Sequence, residues 1–346
     1  MELKLEFLDG AGLGKYDDFL LKKVQCTMVH HSAKWLELCQ EILNDELKVI
    51  QVSSRNEVVA VFPFLIRRSA WGDVINSLPM SGSPGGILID EGISGELKRK
   101  VLLLVKESFE EFIAANNVLS YTIIQSPLSG VKREEYTELL EPDHVFDRIT
   151  QYTDLEADTL RYDLRVRSHL RKAERSGILI EERVTRSILE DFWTVYKNNM
   201  DRLGLDAKTM EQFQKYRELF HEKAKFKFAF FDGKMIAAIV YLIFGNTAFS
   251  AETVCLNEYK TLNPNTLLID RALKECKAVG LKYWNWGASE HRGNPVYKFK
   301  EAFGPFDVEY SYVTKVLKKD DLKKIGLNNM KKHFGWYYVA PYSFFH

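Results

Sequence analysis

The residues with the most chemical content lie between Tyr259 and Pro305, in YKTLNPNTLLIDRALKECKAVGLKYWNWGASEHRGNPVYKFKEAFGP. A loop rich in Asn and Pro, residues 257–265, opens a helix expected over 266–279. Backbone N–H groups and the positive end of the helix dipole then face whatever lies before it, an arrangement suited to an anion. Gly280 closes that helix, a short aromatic strand follows at 283–286, and the next loop delivers Tyr297, Phe299 and Lys300. Lys298 and Lys300 flank Phe299, which on spacing alone also suits two solvated lysines on an amphipathic segment.

Other chemistries lack their signatures. The eight histidines form no HExxH, and the neighbours His30 and His31 would point apart on a helix or a strand. No Cys/His spacing suits zinc, so no metal is expected. There is no GxSxG nucleophile elbow and no GxxxxGK[ST] phosphate loop. The early GAGLG, Gly10 to Gly14, places its third glycine one residue too early for a dinucleotide fingerprint and reads as a turn. What remains is chemistry done by positioning two substrates.

The elements that must hold these residues fall into two halves. Strands are expected at 1–7, at 56–67 (with Pro63 suggesting an edge or a bulge) and at 118–125. A helix at 96–116 carries Leu97, Val101, Leu104, Val105, Phe109 and Phe112 on one side. Between them SLPMSGSPGGILID, 77–90, is a Ser-, Gly- and Pro-rich loop entering a short strand. Loop-like sequence at 142–154 marks a boundary. In the second half a helix at 160–177 has Val166, Leu170 and Ala173 on its apolar stripe and Arg161, Arg165, Lys172 and Arg175 opposite. Helices at 188–201 and 210–224 follow. Strands at 225–231 and 235–244 are joined by Asp232-Gly233, a pair that favours a type I′ turn. A further strand is expected at 248–254. This order implies a mixed α/β sheet, with domains expected at 1–150 and 151–315 and a basic, aromatic tail at 316–346.

Composition narrows the class. The 346 residues carry 48 basic and 48 acidic side chains, so wholesale coating of nucleic acid is not expected, although local patches survive that average. One patch is Arg161 to Arg175, with six basic and two acidic residues; another is Lys315 to Lys332, with seven and two. Either could meet tRNA phosphates or an anionic lipid-linked acceptor, or be a solvated helix face. The closing aromatics, 336–345, could pack on the body or touch a membrane surface. Four scattered cysteines argue for a reducing compartment. MELKLEFLDG alternates like a strand rather than opening a signal peptide, and the apolar run Ile236 to Phe244 is too short to span a bilayer. A cytoplasmic protein, peripheral to the inner membrane face at most, is expected.

Several of these pieces together resemble the FemAB family of aminoacyl and acyl transferases, within the GNAT acyltransferase superfamily. They are LPMSGSPGGILID, RKAERSGI at 171–178, YKNNMDRLG at 196–204, NPNTLL, the strand between Gly280 and Gly287, and the FK-x-x-FG ending at Gly304. The resemblance spans roughly residues 77 to 305, and their order is its specific feature.

The resemblance implies two tandem GNAT-like domains and transfer of an aminoacyl or acyl group to a primary amine, on an acceptor such as a lipid- or nucleotide-linked cell-envelope precursor. No bound cofactor is implied; the donor co-substrate is aminoacyl-tRNA or acyl-CoA. Lys300 would lie by the reacting carbonyl, where a cation stabilises the oxyanion. Asp90 would sit near the acceptor amine and take its proton, or be an ordinary turn acid; His291 and Glu290 are alternative bases. Phe299, Tyr297, Arg202, Asn263 and Asn265 are the expected substrate contacts, and Arg165 and Lys172 the tRNA or anion contacts. The loop Leu262–Leu267 departs from the superfamily by having no glycine, which weakens CoA as donor, although Asn265 could take a left-handed conformation in its place. The alternatives are an acyl-CoA-dependent N-acetyltransferase of small-molecule or sugar amines, and a non-catalytic binding protein with this fold.

Overall fold

The alternation that opens the sequence forms β1 (Leu3–Leu8) in the computed structural model, which describes residues 2–80, 83–289 and 291–345. Ser81 and Gly82 of the 77–90 loop, and Glu290, lie outside the described residues. GAGLG is a 3-10 turn, as its glycine spacing suggests, leading into α1 (Tyr16–Lys23). Next come α2 (Ala33–Leu43), capped by Ser32, and β2 (Glu46–Ser54), which pairs antiparallel with β1. α2 and β2 carry no motif and were not anticipated from the sequence.

β3 (Glu57–Arg67) pairs with β2 along its length and is not an edge strand. On its other side β4 (Asp73–Asn76) takes Leu65 to Arg67 and β5 (Leu88–Ile89) takes Ala60 and Val61. Pro63 falls between those two segments, where its missing N–H interrupts neither ladder. α3 (Gly95–Ala114) buries the expected face: Val101, Val105 and Phe109 enter the core and Leu97, Leu104 and Phe112 pack against it. Phe109 meets Phe62, Phe64 and Tyr121 edge-on at 5.2 Å, the favoured aromatic geometry. β6 (Val118–Ile124) is buried throughout and runs parallel to β4. After α4 (Arg133–Leu140), the supposed loop at 142–154 is instead β7 (His144–Asp154). Its polar outward residues, such as Asp147, hide the strand from a hydrophobicity reading. Contacts divide the chain between Arg148 and Ile149, within this strand.

The second unit, residues 149–308, begins with the end of β7 and α5 (Leu164–Arg175). Asp163 caps α5 by accepting the Val166 N–H at 2.6 Å, and the expected basic side chains are exposed. β8 (Leu179–Glu181), α6 (Arg186–Leu203) and α7 (Met210–Phe220) follow. β9 (Ala224–Phe231) and β10 (Lys234–Phe244) form the expected hairpin, with φ of 49° at Asp232 and 75° at Gly233. Two positive φ values in succession are what a type I′ turn demands. β11 (Thr247–Cys255), α8 (Pro264–Ala278) and β12 (Tyr283–Ser289) complete the sheet, in the order β7-β12-β11-β10-β9-β8. Only β11 and β12 are parallel there, joined through α8 as a parallel crossover requires.

After α9 (Pro295–Glu301), β13 (Phe306–Val316) carries the chain back: residues 309–346 belong with 1–148. β13 pairs antiparallel with β6, giving the first unit the order β1-β2-β3-β4-β6-β13. α10 (Lys319–Phe334), bent at Gly326, and the residues after it pack there too. Tyr337 donates its hydroxyl hydrogen bond to Asp45 at 2.9 Å, and Tyr338 N–H donates to Asn76 at 2.8 Å. So 316–346 is not a separate tail, and the first unit is built from both ends of the chain. Both units are mixed α/β with one parallel strand pair.

Candidate functional site

β11 and β12 stay parallel for three pairs, Thr247–Tyr283, Ala248–Trp284 and Phe249–Asn285. Beyond them both strands are irregular. The β10–β11 register shifts at Val240/Tyr241, leaving Ala251 as an extra residue in β11, and the β12–β7 register shifts between Asn285 and Ala288. The second irregularity has a local cause. Asn285 Oδ1 accepts the Gly287 N–H at 2.8 Å, and Gly287 takes a φ of 72°; a bulge of this kind bends its strand. A cleft of about 830 Å³ opens in this unit. Its walls include Ser250, Thr253 and Cys255 of β11 and Trp286 of β12, with the start of α8, α9 and the facing parts of α5 and α6.

Lys300, on α9, lines this cleft while almost wholly buried. Its ammonium donates to the Gly287 and Ala288 carbonyl oxygens, each at 3.0 Å, and to Ser289 Oγ at 3.3 Å. All three of its hydrogens are therefore directed at the end of β12. Burial lowers its pKa to about 8. The solvated alternative read from sequence applies to Lys298, which is exposed, and not to Lys300.

The FK-x-x-FG motif fixes this geometry. Phe303 is fully buried, packing edge-on against Tyr162 and Phe299 at 5.5 Å and against Trp286 at 5.1 Å. Gly304 has a φ of 71°, and a Cβ there would collide with the Arg161 carbonyl oxygen. Asp163 N–H donates to Ala302 O at 2.9 Å, tying α5 to the end of α9. Phe299 is left partly exposed in the cleft.

At the start of α8 the left-handed residue is Asn263, with φ 59° and ψ 41°, and not Asn265, which lies inside the helix. Asn is one of the few non-glycine residues that visit this region readily. Pro264 is the first helical residue, two positions earlier than expected, and no side chain caps the helix. Its first N–H groups therefore lack a side-chain partner, and Asn263, Asn265 and Thr266 line the cleft. Among the described lining residues the charged side chains are Arg165, Arg202, Lys260, Lys298 and Lys300, with no carboxylate. Such a wall raises the local concentration of anions.

Thus Lys300, Phe299, Arg202, Asn263, Asn265 and Arg165 meet in one cleft. Four other expected residues lie elsewhere. Tyr297 is buried outside it, its hydroxyl bonding both oxygens of Asp307 at 3.0 and 2.9 Å. Lys172 stands on the exposed face of α5, two turns beyond Arg165. Asp90, in the first unit, accepts the Gly92 N–H at 2.8 Å and faces Lys23 at 3.3 Å, which are the contacts of a turn acid. His291 does not line the cleft; its Nδ1 accepts the Gly293 N–H at 3.1 Å.

The sequence reading missed Lys260, Ser250, Thr253, Cys255 and Trp286. The extra residue at Ala251 breaks the period-two alternation that would have put the β11 residues on one face. The Cys255 thiol, raised to about 11 by burial, is protonated at neutral pH.

Residues 161–300 match the family described as an acetyltransferase (GNAT) domain. No curated protein matches the sequence. Among solved structures, FemX is similar at 14% identity, with 90% of this chain and 97% of that chain covered and a TM-score of 0.70. The C-terminal domain of a putative lysylphosphatidylglycerol synthetase from Agrobacterium fabrum is similar at 13% identity, covering 87% and 91% with a TM-score of 0.55. L-PGS from Bacillus licheniformis is similar at 14%, covering 86% and 90% with a TM-score of 0.53. Residues 161–300 are therefore similar to a GNAT acetyltransferase domain, and the chain has a fold similar to that of FemX.

Proposed function

We propose that the chain transfers an acyl or aminoacyl group from an ester or thioester donor to a primary amine, by direct attack in a ternary complex. The observation that carries this is the placing of Lys300 and the uncapped start of α8 in one cation-lined cleft. A donor phosphate would lie at the helix start and beside Arg165, Arg202 or Lys260. The carbonyl would lie by Lys300. As the amine nitrogen forms its bond to the carbonyl carbon, the oxyanion replaces Ser289 Oγ, the longest of the three contacts of Lys300. Collapse breaks the C–O or C–S bond, and the leaving group departs with the electron pair. The acceptor's ammonium proton goes to water. The acceptor of this reading is a lipid- or nucleotide-linked envelope precursor, and the protein works in the cytoplasm.

One observation favours a second reading, an acyl-CoA-dependent N-acetyltransferase of small-molecule or sugar amines. Asn263, rather than the expected Asn265, makes a left-handed turn in the glycine-free loop, which weakens the sequence-based objection to a CoA pyrophosphate. Titrating acetyl-CoA, longer acyl-CoAs and charged tRNA side by side, with release of CoA or deacylated tRNA as the readout, separates the two. Binding without turnover of any donor would leave a catalytically silent binding protein with this fold.

A further inference from the structure

The rim of the cleft has a character that acyl transfer does not explain. Large apolar side chains stand in solvent around it: Leu164 is 81% exposed, Leu205 57%, Val296 54%, Leu203 49% and Phe299 39%. Leu203, Val296 and Phe299 line the cleft itself. Leu164 precedes the cleft residue Arg165, and Leu205 follows the glycine that ends α6. That ending is a Schellman turn, in which Gly204 N–H donates to Asp201 O and Leu205 N–H to Met200 O. In such turns the residue after the glycine commonly packs back on its own helix. Here it points outward. Soluble surfaces scatter single apolar residues, but a group rimmed by polar side chains marks an interaction site.

Near these side chains stand Arg161, Arg165, Arg202, Lys260 and Lys298, all exposed. The carboxylates close by in sequence are Asp163, Asp201, Asp206, Glu258 and Glu301, of which Asp201 pairs with Lys197 at 2.6 Å and Glu258 with Lys234 at 3.5 Å, and none lines the cleft. Asp163 is engaged as the cap of α5 and lies 3.8 Å from Arg165, so the rim stays cationic. Cations alone suit any polyanion. The aliphatic side chains decide between polyanions: leucine and valine offer no face on which a nucleobase can stack, whereas a bilayer interface takes up apolar side chains and attracts the cations beside them.

We infer that this rim docks on an anionic lipid bilayer, the leucines entering the headgroup layer and the arginines and lysines meeting phosphates, so that the cleft opens onto the membrane surface. Among the described residues no helix is long and apolar enough to cross a membrane, so the contact is superficial. Docking stands apart from the proposed reaction, because vesicle binding would survive if the chain transferred nothing.

Co-sedimentation of the full chain with phosphatidylcholine vesicles containing about one-third phosphatidylglycerol tests this, against pure phosphatidylcholine vesicles and deacylated tRNA. Binding is expected to the anionic vesicles only, and it should weaken in about 1 M salt. The pair Leu164→Ser and Leu205→Ser should reduce vesicle binding by about tenfold while leaving thermal stability unchanged. A Leu205→Trp variant should show blue-shifted fluorescence with anionic vesicles and quenching by brominated lipid. Vesicle binding that ignores the leucine pair, with no shift at Leu205→Trp, would overturn insertion. Tight tRNA binding without any vesicle binding at low salt would assign the rim to nucleic acid instead.

Discussion

Lys300 and Gly287 hold each other in place: the ammonium donates to the Gly287 carbonyl at 3.0 Å, and Gly287 is the positive-φ residue at the bulge of β12. The cation is thus fixed by backbone, at a point where its strand is bent. Lys300→Ala should lower turnover by about 10²-fold or more with the fold intact, the scale of losing one oxyanion donor. Equal turnover at equal thermal stability would remove Lys300 from the reaction.

The pKa of Lys300, near 8, adds a pH signature. If its ammonium is needed, activity falls as pH rises through about 8. Lys300→Arg, which stays charged, should lose that basic limb wherever it retains activity. Between about 8 and the ordinary value of 10.5 the unfolded chain binds the proton that the folded lysine has lost. Stability from this group therefore rises with pH across that window. A pH–rate profile and denaturant melts at pH 8 and 10 check the two halves.

Gly304→Ala combines an unfavourable left-handed backbone with a collision at the Arg161 carbonyl. A cost of at least about 1–3 kcal/mol is expected from the backbone term alone. Because Gly304 ties the α9 segment to the residues before α5, activity should fall more than global stability does. Thermal melts and turnover measured on one preparation decide this.

Arg165 and Lys172 separate the two donors. Only Arg165 lines the cleft, so Arg165→Gln should weaken both CoA and tRNA. Lys172→Gln should weaken only a ligand long enough to follow α5, lowering the tRNA salt slope by about one unit. Equal loss of acetyl-CoA binding in both variants would contradict the placing of Lys172 outside the donor site.

Asp90→Asn retains an oxygen for the Gly92 N–H and removes the charge that faces Lys23. If Asp90 is the base, the acidic limb of the pH–rate profile moves or disappears. An unchanged limb assigns proton removal to water, and Glu290→Gln is then the next variant to measure.

His31 contributes to the loss of stability in acid. It is fully buried, accepts the Met28 N–H through Nδ1 at 3.3 Å, and is pushed down to about 3 by burial. The folded pKa lies below the unfolded value of 6.5, so its contribution is complete above pH 6.5 and is lost as pH falls toward 3. The slope is about 1.4 kcal/mol per pH unit within that window. His31→Asn keeps an acceptor and should flatten the decline in urea melts between pH 7 and 5.

The sequence by itself determined whatever local physics dictates. The stripe Val101, Val105, Phe109 specified α3 and Asp232-Gly233 specified the hairpin turn, while only the family resemblance carried by FK-x-x-FG singled out Lys300 from Lys298. It determined the order of α5, α6, α7, β9, β10, β11, α8 and β12, because each has its own periodicity and stop signal, but not β8, nor α9, which was read as a loop. Tertiary structure decided the rest. β7 was invisible because a strand with Asp147 outward looks like a loop until its partners are known. Nothing local announces that residues 309–346 complete the first unit, since β13 gains its place from pairing with β6, far away in sequence. Three-dimensional packing also sorted the candidates. It buried Lys300 against the β12 carbonyls and left Lys298 in solvent, and it turned Tyr297 toward Asp307. Through one extra residue at Ala251 it set Ser250, Thr253 and Cys255 into the cleft wall, because a bulge shifts a strand's alternation where pairing, not sequence, puts it.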